Sequence, residues 1–389
     1  MTTPDHSSPS HSRDVSPRER VRTELDALRE TDRHRRLRGR AEAEVLDFSS
    51  NDYLNFSRDP RVVAGAQSAL EQFGAGSTAS RLVSGSLACH TRFEMELAAW
   101  KDCDAALLFG SGYLTALGCV RSFVGQGDVV LADRLSHACL LDAGRGSGAR
   151  VDRFRHNDLE HLDARLAKHH GKRVLVVTES VFSMDGDLAP IEEIAELVAA
   201  NPHAMLLVDE AHAAGVFGPG LAHQVDGVDL QMGTLSKSFG SYGGYVGLSA
   251  DHKDWLVNTS RSLIYTTAPP PASIGAALAG LKILRDEPEL GDRLLERAGE
   301  FCRKLWEAGF DTLDSDSQIV PLVIGEDGDC LAAAAELKAE GIHVVAIRPP
   351  TVPEGTARLR FSITLAHSAE ELDRTADTVI RLLQDRYAK

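Results

Sequence analysis

The chain has 389 residues, 43% of them apolar, and a formal net charge of −15. That length exceeds one ordinary small core and predicts two lobes; the acidic balance, with no long basic run, excludes a nucleic-acid surface. The six cysteines show neither a C-x-x-C pair nor metal-ligand spacing, and no apolar run approaches bilayer length, so a soluble cytoplasmic protein with free thiols, no metal and no membrane contact is expected.

Residues 1–15 are polar and rich in Pro and Ser, and are expected to be a disordered tail. An N-terminal helical segment, 16–45, opens at Ser16-Pro17-Arg18-Glu19, which has capping-box spacing with Pro at the first helical position. Val21, Leu25 and Leu28 then fall on one helical face, and a further seven residues along that face lies Arg35, in a basic patch with Arg33, Arg36, Arg38 and Arg40. Cations solvated at a helix end account equally well for such a patch.

A large domain is expected over 46–275. It starts with an extended stretch, 46–54, running into an Asx-rich turn around Asn51, where Asn55 suits a left-handed backbone. After a Gly/Ser loop and a helix over 92–100 comes a buried strand, 105–109. That strand passes through Gly110-Ser111-Gly112-Tyr113 into a helix over 114–120, a pattern suited to a phosphate because free N–H groups and the helix dipole both favour an anion. Strands over 129–133 and 174–178 follow, the first leading to Ser136-His137 and the second to Glu179-Ser180-Val181-Phe182-Ser183-Met184-Asp185-Gly186-Asp187.

The next strand, Met205-Leu206-Leu207-Val208, ends abruptly in Asp209-Glu210-Ala211-His212, and after a Gly/Pro loop the chain reads Gly233-Thr234-Leu235-Ser236-Lys237-Ser238-Phe239-Gly240. Ligands bind at the carboxyl ends of strands in open α/β sheets. A lone lysine is usually solvated and a lone aspartate usually a cap, but together in this order they suit one cofactor. Pyridoxal phosphate needs a lysine that forms a Schiff base and a carboxylate for its ring nitrogen. A strand over 243–248 and Thr266-Thr267 before Pro269-Pro270-Pro271 complete the domain.

From 276 to 389 a smaller α+β domain is expected: helices over 276–284 and 292–308, a strand over 319–324, a helix over 330–340 stopped by Gly341, strands near 342–347 and 358–364, and a last helix capped by Ser368 and Glu371. Arg358 and Arg360 fall on one face of a strand, so spacing does not choose between them as a carboxylate fork.

Asp209-Glu210-Ala211-His212 with Thr234-Leu235-Ser236-Lys237, the Ser50-Asn51-Asp52-Tyr53-Leu54 turn and the Glu179 to Gly186 stretch resemble the α-oxoamine synthases, which are fold-type-I pyridoxal-phosphate enzymes. The resemblance covers nearly everything after about Leu25 and implies an α/β fold with a mostly parallel central sheet flanked by helices. It also implies the residue roles. Lys237 would hold the cofactor and act as base, Asp209 and His212 would serve its ring, and His137 would stack on it. Ser111, Gly112 and Tyr113 would bind its phosphate, with Thr266 and Thr267 reaching the phosphate of the partner in a homodimer with shared sites. Ser183 and Thr234 would line the cofactor, Arg35 and Asn51 the substrates, with Glu179 orienting Asn51, and Arg360 would match the carboxylate-binding arginine. The string Arg348-Pro349-Pro350-Thr351-Val352-Pro353 favours the branch that joins L-alanine to pimeloyl-CoA, or to the pimeloyl thioester of acyl-carrier protein, for biotin. Sister reactions pair glycine or serine with another acyl-CoA. A catalytically silent partner subunit of the same fold would lack the lysine that this chain has at 237.

Overall fold

A computed structural model describes residues 16–31, 33–34 and 45–388. The expected tail, 1–15, and Arg35, Arg36, Arg38 and Arg40 lie outside the described residues. In chain order the strands are β1 (Leu46–Asp47), β2 (Ala105–Phe109), β3 (Val129–Asp133), β4 (Arg150–Phe154), β5 (Val174–Glu179), β6 (Ala204–Asp209), β7 (Leu230–Thr234), β8 (Gly244–Leu248), β9 (Ile319–Gly325), β10 (Ile342–His343), β11 (Val345–Ile347) and β12 (Ala357–Ser362).

The central sheet has the order β2-β8-β7-β6-β5-β3-β4, and every neighbouring pair is parallel except the two made by β8. Its strands read as continuous apolar runs because helices cover both faces. Alternate residues go to opposite sides. Leu107, Val130, Leu175, Leu207 and Met232 pack with helices Gly112–Phe123 and Ala138–Ser147, while Val129, Leu131, Val176, Leu206 and Val208 pack with helices Leu159–Lys168 and Ile191–Ala199. Every parallel strand therefore presents its carboxyl end along one edge of the sheet, and there the acidic, histidine and lysine motifs emerge.

A second, antiparallel sheet has the order β11-β12-β9, and β1 pairs in parallel with β10, Leu46 opposite Ile342. The stretch 342–347, expected as one strand, is divided at Val344 because its two halves serve different partners, β1 and β12. Asn55 adopts the left-handed conformation, φ 59°. The helix starting before Arg92 begins at Ala88, where the His90 side chain accepts the Leu87 N–H at 3.0 Å.

The N-terminal helix Pro17–Glu30 has its full capping box, Ser16 with Glu19. The apolar face expected to turn inward is open within the single chain, with Val21 57% and Leu28 41% exposed. Leu25 and Leu28 border a groove shared with Arg33, His34 and residues 345–351 without being covered by it. Among the described residues no helix is long and apolar enough to cross a membrane. None of the six cysteines forms a disulfide.

A fully buried ion pair sits beneath the site. Lys101 Nζ donates to Glu210 Oε2 at 2.6 Å and to the Pro219 carbonyl at 2.5 Å, and Glu210 Oε1 accepts the Ala222 N–H at 2.7 Å. Gly220, at φ +126°, lies so close that a Cβ there would meet Glu210 Oε2 at 2.2 Å. Removing one partner leaves a buried, uncompensated charge, so Lys101→Met is expected to destabilise the protein by about 3–5 kcal/mol in denaturant unfolding, and the double change Lys101→Met/Glu210→Leu to recover most of that loss.

Candidate active site

Five strand ends build the site. After β2, Ser111 caps helix Gly112–Phe123, its Oγ accepting the Leu114 N–H at 3.2 Å. The preceding backbone N–H groups are the helix's unpaired donors. A Cβ on Gly112 would lie 3.4 Å from the Thr234 side chain, which puts this turn against the end of β7. The Tyr113 ring is 46% exposed and its hydroxyl donates to Asp142 Oδ2 at 3.0 Å.

After β3, His137 caps helix Ala138–Ser147 with its side chain. Nδ1 accepts the Cys139 N–H at 3.2 Å, so in the neutral ring Nε2 carries the proton. Burial lowers the His137 pKa against the opposing pull of Asp209, which keeps the ring neutral near pH 7. After β5, Glu179 is buried, and burial together with the Asp209 charge pushes its pKa well above the carboxylate range. Its Oε1 has no hydrogen-bond partner.

After β6, Asp209 is 5% exposed and its Oδ1 accepts the Ala211 N–H at 3.0 Å. Burial raises its pKa, against the Lys237 charge. His212 lies between two partners, with Nε2 2.7 Å from Lys237 Nζ and Nδ1 2.6 Å from the Tyr53 hydroxyl. Gln318 holds its backbone through a 2.8 Å bond to the carbonyl. Burial and the nearby cations Lys237 and Arg360 keep its pKa well below the usual value, so the imidazole is neutral. After β7, Thr234 Oγ1 donates to the Gly243 carbonyl at 2.9 Å and sits 2.8 Å from Ser236 Oγ, shaping the turn that carries Lys237. Burial lowers the Lys237 pKa to about 8, although Asp209 and Glu179 pull it up.

The smaller sheet supplies the other wall. Arg360, on β12 and 6% exposed, donates from Nε to the Ser183 carbonyl at 2.6 Å, and from Nη1 to Ser362 Oγ at 2.6 Å and Asn51 Oδ1 at 3.3 Å. Arg358 is committed elsewhere: it is ion-paired with Asp185 and bonded to the Thr356 carbonyl at 3.0 Å. The structure thus separates two arginines that strand periodicity leaves equivalent. All the Arg360 acceptors are neutral, and among the described residues it has no ion pair. Tyr53 lies 3.2 Å from Asn51 Oδ1. One donor order satisfies every distance: Lys237 to His212, His212 Nδ1–H to Tyr53, Tyr53 to Asn51, with Asn51 also receiving Arg360.

Lys237, His212, Asp209, His137, Ser183, Asn51 and Arg360 are therefore brought together, with Ser111, Gly112 and Thr234 at the neighbouring strand ends. Arg35 lies outside the described residues. Thr266 and Thr267 lie beyond helix Arg261–Ile264, and among the described residues they make no hydrogen bond to the Lys237–Arg360 network. No hydrogen bond joins Glu179 to Asn51 among the described residues, and the backbone N–H groups of His137 and Ser183 act to lower its pKa. Tyr53 and Ser362 were missed by the sequence reading. Only Tyr53 carried a signal, as the fourth residue of the Ser-Asn-Asp-Tyr turn. Beside His137 and Ser183 a cleft of about 490 Å³ opens between residues 134–141 and 182–185 on one side and Pro350, Thr351, Val352 and Pro353 on the other.

The donor set fits pyridoxal phosphate. It offers an amine of lowered pKa, a buried carboxylate whose ionised form a cationic ring nitrogen would stabilise, an imidazole for the ring face, and a helix N-terminus for the phosphate.

The family model for aminotransferase class I and II matches residues 43–379, and the chain belongs to that family of pyridoxal-phosphate-dependent transferases. Within it, the similarity is to α-oxoamine synthases. The 8-amino-7-oxononanoate synthase of Methylobacterium nodulans is 47% identical over 340 residues, covering 87% of this chain and 87% of that protein. A solved structure of SPT with PLP aligns at TM-score 0.86 and 29% identity, covering 93% of this chain and 96% of that one. The 8-amino-7-oxononanoate synthase of Francisella tularensis aligns at TM-score 0.76 and 25% identity, covering 88% of this chain and 98% of that one.

Proposed function

We propose that this chain is an 8-amino-7-oxononanoate synthase, condensing L-alanine with the pimeloyl thioester of CoA, with loss of CO2, in biotin formation. The observation that carries the reading is the pairing of a buried Lys237 amine with an Arg360 guanidinium that is held only by neutral acceptors. Bound pyridoxal phosphate supplies an aldehyde for an amine and a ring that accepts the electron pair left at the amino acid's Cα.

The chain's own groups do the rest. Arg360 takes the alanine carboxylate in its planar fork. Asp209 would hold a protonated ring nitrogen, His137 would cover one ring face, and the Ser111, Gly112 and Tyr113 turn would receive the phosphate. Ser183, Thr234 and His212 would border the ring. Lys237 Nζ, with a pKa of about 8, is tuned to remove the Cα proton, and His212 Nε2, accepting one of its N–H bonds at 2.7 Å, orients it. The cleft beside His137 admits the acyl chain. Thr266 and Thr267 would reach a partner subunit's phosphate in a homodimer, and the unpaired cysteines fit the cytoplasm.

The test is thiol release by the holoprotein with pimeloyl-, acetyl- or succinyl-CoA, each paired with L-alanine, glycine or L-serine. Release with alanine and pimeloyl-CoA alone is expected. Release with serine or glycine instead would assign a sister reaction with the same residue roles, and the higher TM-score of the SPT structure makes the serine arm worth running.

A further inference from the structure

Four residues from three separate stretches of the chain form a bracket behind the site. Asp133 ends β3 with its side chain fully buried. His156, just after β4, places Nδ1 3.0 Å from Asp133 Oδ1 and Nε2 2.7 Å from Asp187 Oδ2. Asn157, held at φ 51°, donates its N–H to Asp133 Oδ2 at 3.0 Å and its Nδ2 to Asp187 Oδ2 at 2.9 Å and to the Leu188 carbonyl at 3.0 Å. The His156 ring also meets Phe182 edge-on, with centroids 4.3 Å apart.

The loop they grip is the one that touches both arginines. It starts at Phe182, whose N–H bonds the Asp187 carbonyl at 3.0 Å, and it is pinned on its far side at Gly186. There φ is +76° and a Cβ would meet the Ile319 carbonyl at 2.1 Å, so only glycine fits. Between these anchors Ser183 presents its carbonyl to Arg360 Nε at 2.6 Å, and Asp185 pairs with Arg358. Burial pulls the His156 pKa down, but hydrogen bonds and charge from Asp133 and Asp187 outweigh it and hold the imidazolium at about 10. The bracket thus stays charged across the neutral range.

We propose that His156 is a positioning residue for the amino-acid end of the reaction: by tying the 182–188 loop to β3 it fixes the Ser183 carbonyl that aims the Arg360 guanidinium. This rests on reading Arg360 as the carboxylate grip. His156 bonds Asp133 and Asp187 and makes no hydrogen bond to Lys237, Asp209, Asn51 or Arg360, so its loss acts on amino-acid binding through a misplaced fork, for which a displacement of about 1 Å is worth up to roughly 100-fold.

The test uses the holoenzyme of His156→Gln, Asp187→Asn, Arg360→Lys and the double variant His156→Gln/Arg360→Lys. L-Alanine binding is titrated by the absorbance of the bound cofactor, with kcat, both KM values and the unfolding midpoint measured alongside. His156→Gln should weaken alanine binding roughly 10-fold or more and raise the alanine KM to match, with kcat and the acyl-thioester KM within about twofold. Adding it to Arg360→Lys should cost little further, because both act on one fork. Asp187→Asn releases the same bracket from the loop side and should reproduce the pattern if His156→Gln does not fold. Unchanged alanine binding in a folded His156 or Asp187 variant would overturn the proposal, as would losses that multiply in the double variant. If Arg360→Lys itself binds alanine normally, the reading of the site falls and takes this proposal with it.

Discussion

Lys237→Ala protein is expected to fold, with an unfolding midpoint near that of the parent, and to release no measurable thiol from an acyl-CoA and alanine. The loss should be about 10⁴-fold or greater, since one side chain supplies both the nucleophilic amine and the proton-transferring base. The other buried lysine near the site cannot substitute, because Lys101 is bound to Glu210 at 2.6 Å. Retained activity in Lys237→Ala would end the assignment.

The same lysine sets a pH dependence whose sign follows from its lowered pKa. A lysine held at about 8 is protonated below that value and neutral above it. Only the neutral amine attacks an aldehyde, so uptake of pyridoxal phosphate by cofactor-free protein should rise tenfold per pH unit below about 8 and level off above it. A rate still climbing toward the ordinary lysine value of 10.5 would show that burial does not act on this group as described.

Arg360→Ala is expected to raise the alanine KM by roughly 10²–10³-fold, the equivalent of about 3–4 kcal/mol lost when a buried, charge-paired partner is truncated. The acyl-thioester KM should move far less. Arg358→Ala should behave differently: it strands Asp185, whose pKa burial already raises, and so lowers the unfolding midpoint more than it weakens alanine. Initial-rate kinetics on both variants, with each substrate varied in turn, separate the two. A large alanine effect from Arg358 and none from Arg360 would reverse the assignment.

The sequence made the centre of the molecule readable because a sheet covered on both faces leaves apolar runs, and β2, β3, β5 and β6 are such runs. β4 was not legible. Its residues, Arg150-Val151-Asp152-Arg153-Phe154, carry three charges, and only pairing with β3 at the sheet edge makes them a strand. β7 contains Gln231 and Gly233, which weaken strand propensity, yet it is buried between β6 and β8. Within the site, the residues borne on motifs were legible singly, but their partners were not. The choice between Arg358 and Arg360 is made by Asp185, 173 residues away from Arg358 in sequence, and no local pattern reports that contact. His156 and Asn157 gave no signal for the same reason: their meaning lies in Asp133 and Asp187, which only the crossovers of the sheet bring to them.

The pairing of β1 with β10 has a consequence for how the protein is made on the ribosome. Leu46 donates its N–H to the Gly341 carbonyl, Phe48 to His343, and Leu365 to Tyr53, so the turn bearing Asn51 and Tyr53 is fastened at both sides by chain synthesised some three hundred residues later. A nascent chain that has emerged through Leu248 holds every strand of the seven-stranded sheet and already carries Lys237, Asp209 and His137. Domains of this size fold as they emerge. The lysine end of the site can therefore form during translation, whereas the amino-acid end waits for residues 341–365, and a chain stopped before them would expose a reactive lysine with no means of choosing what to react with.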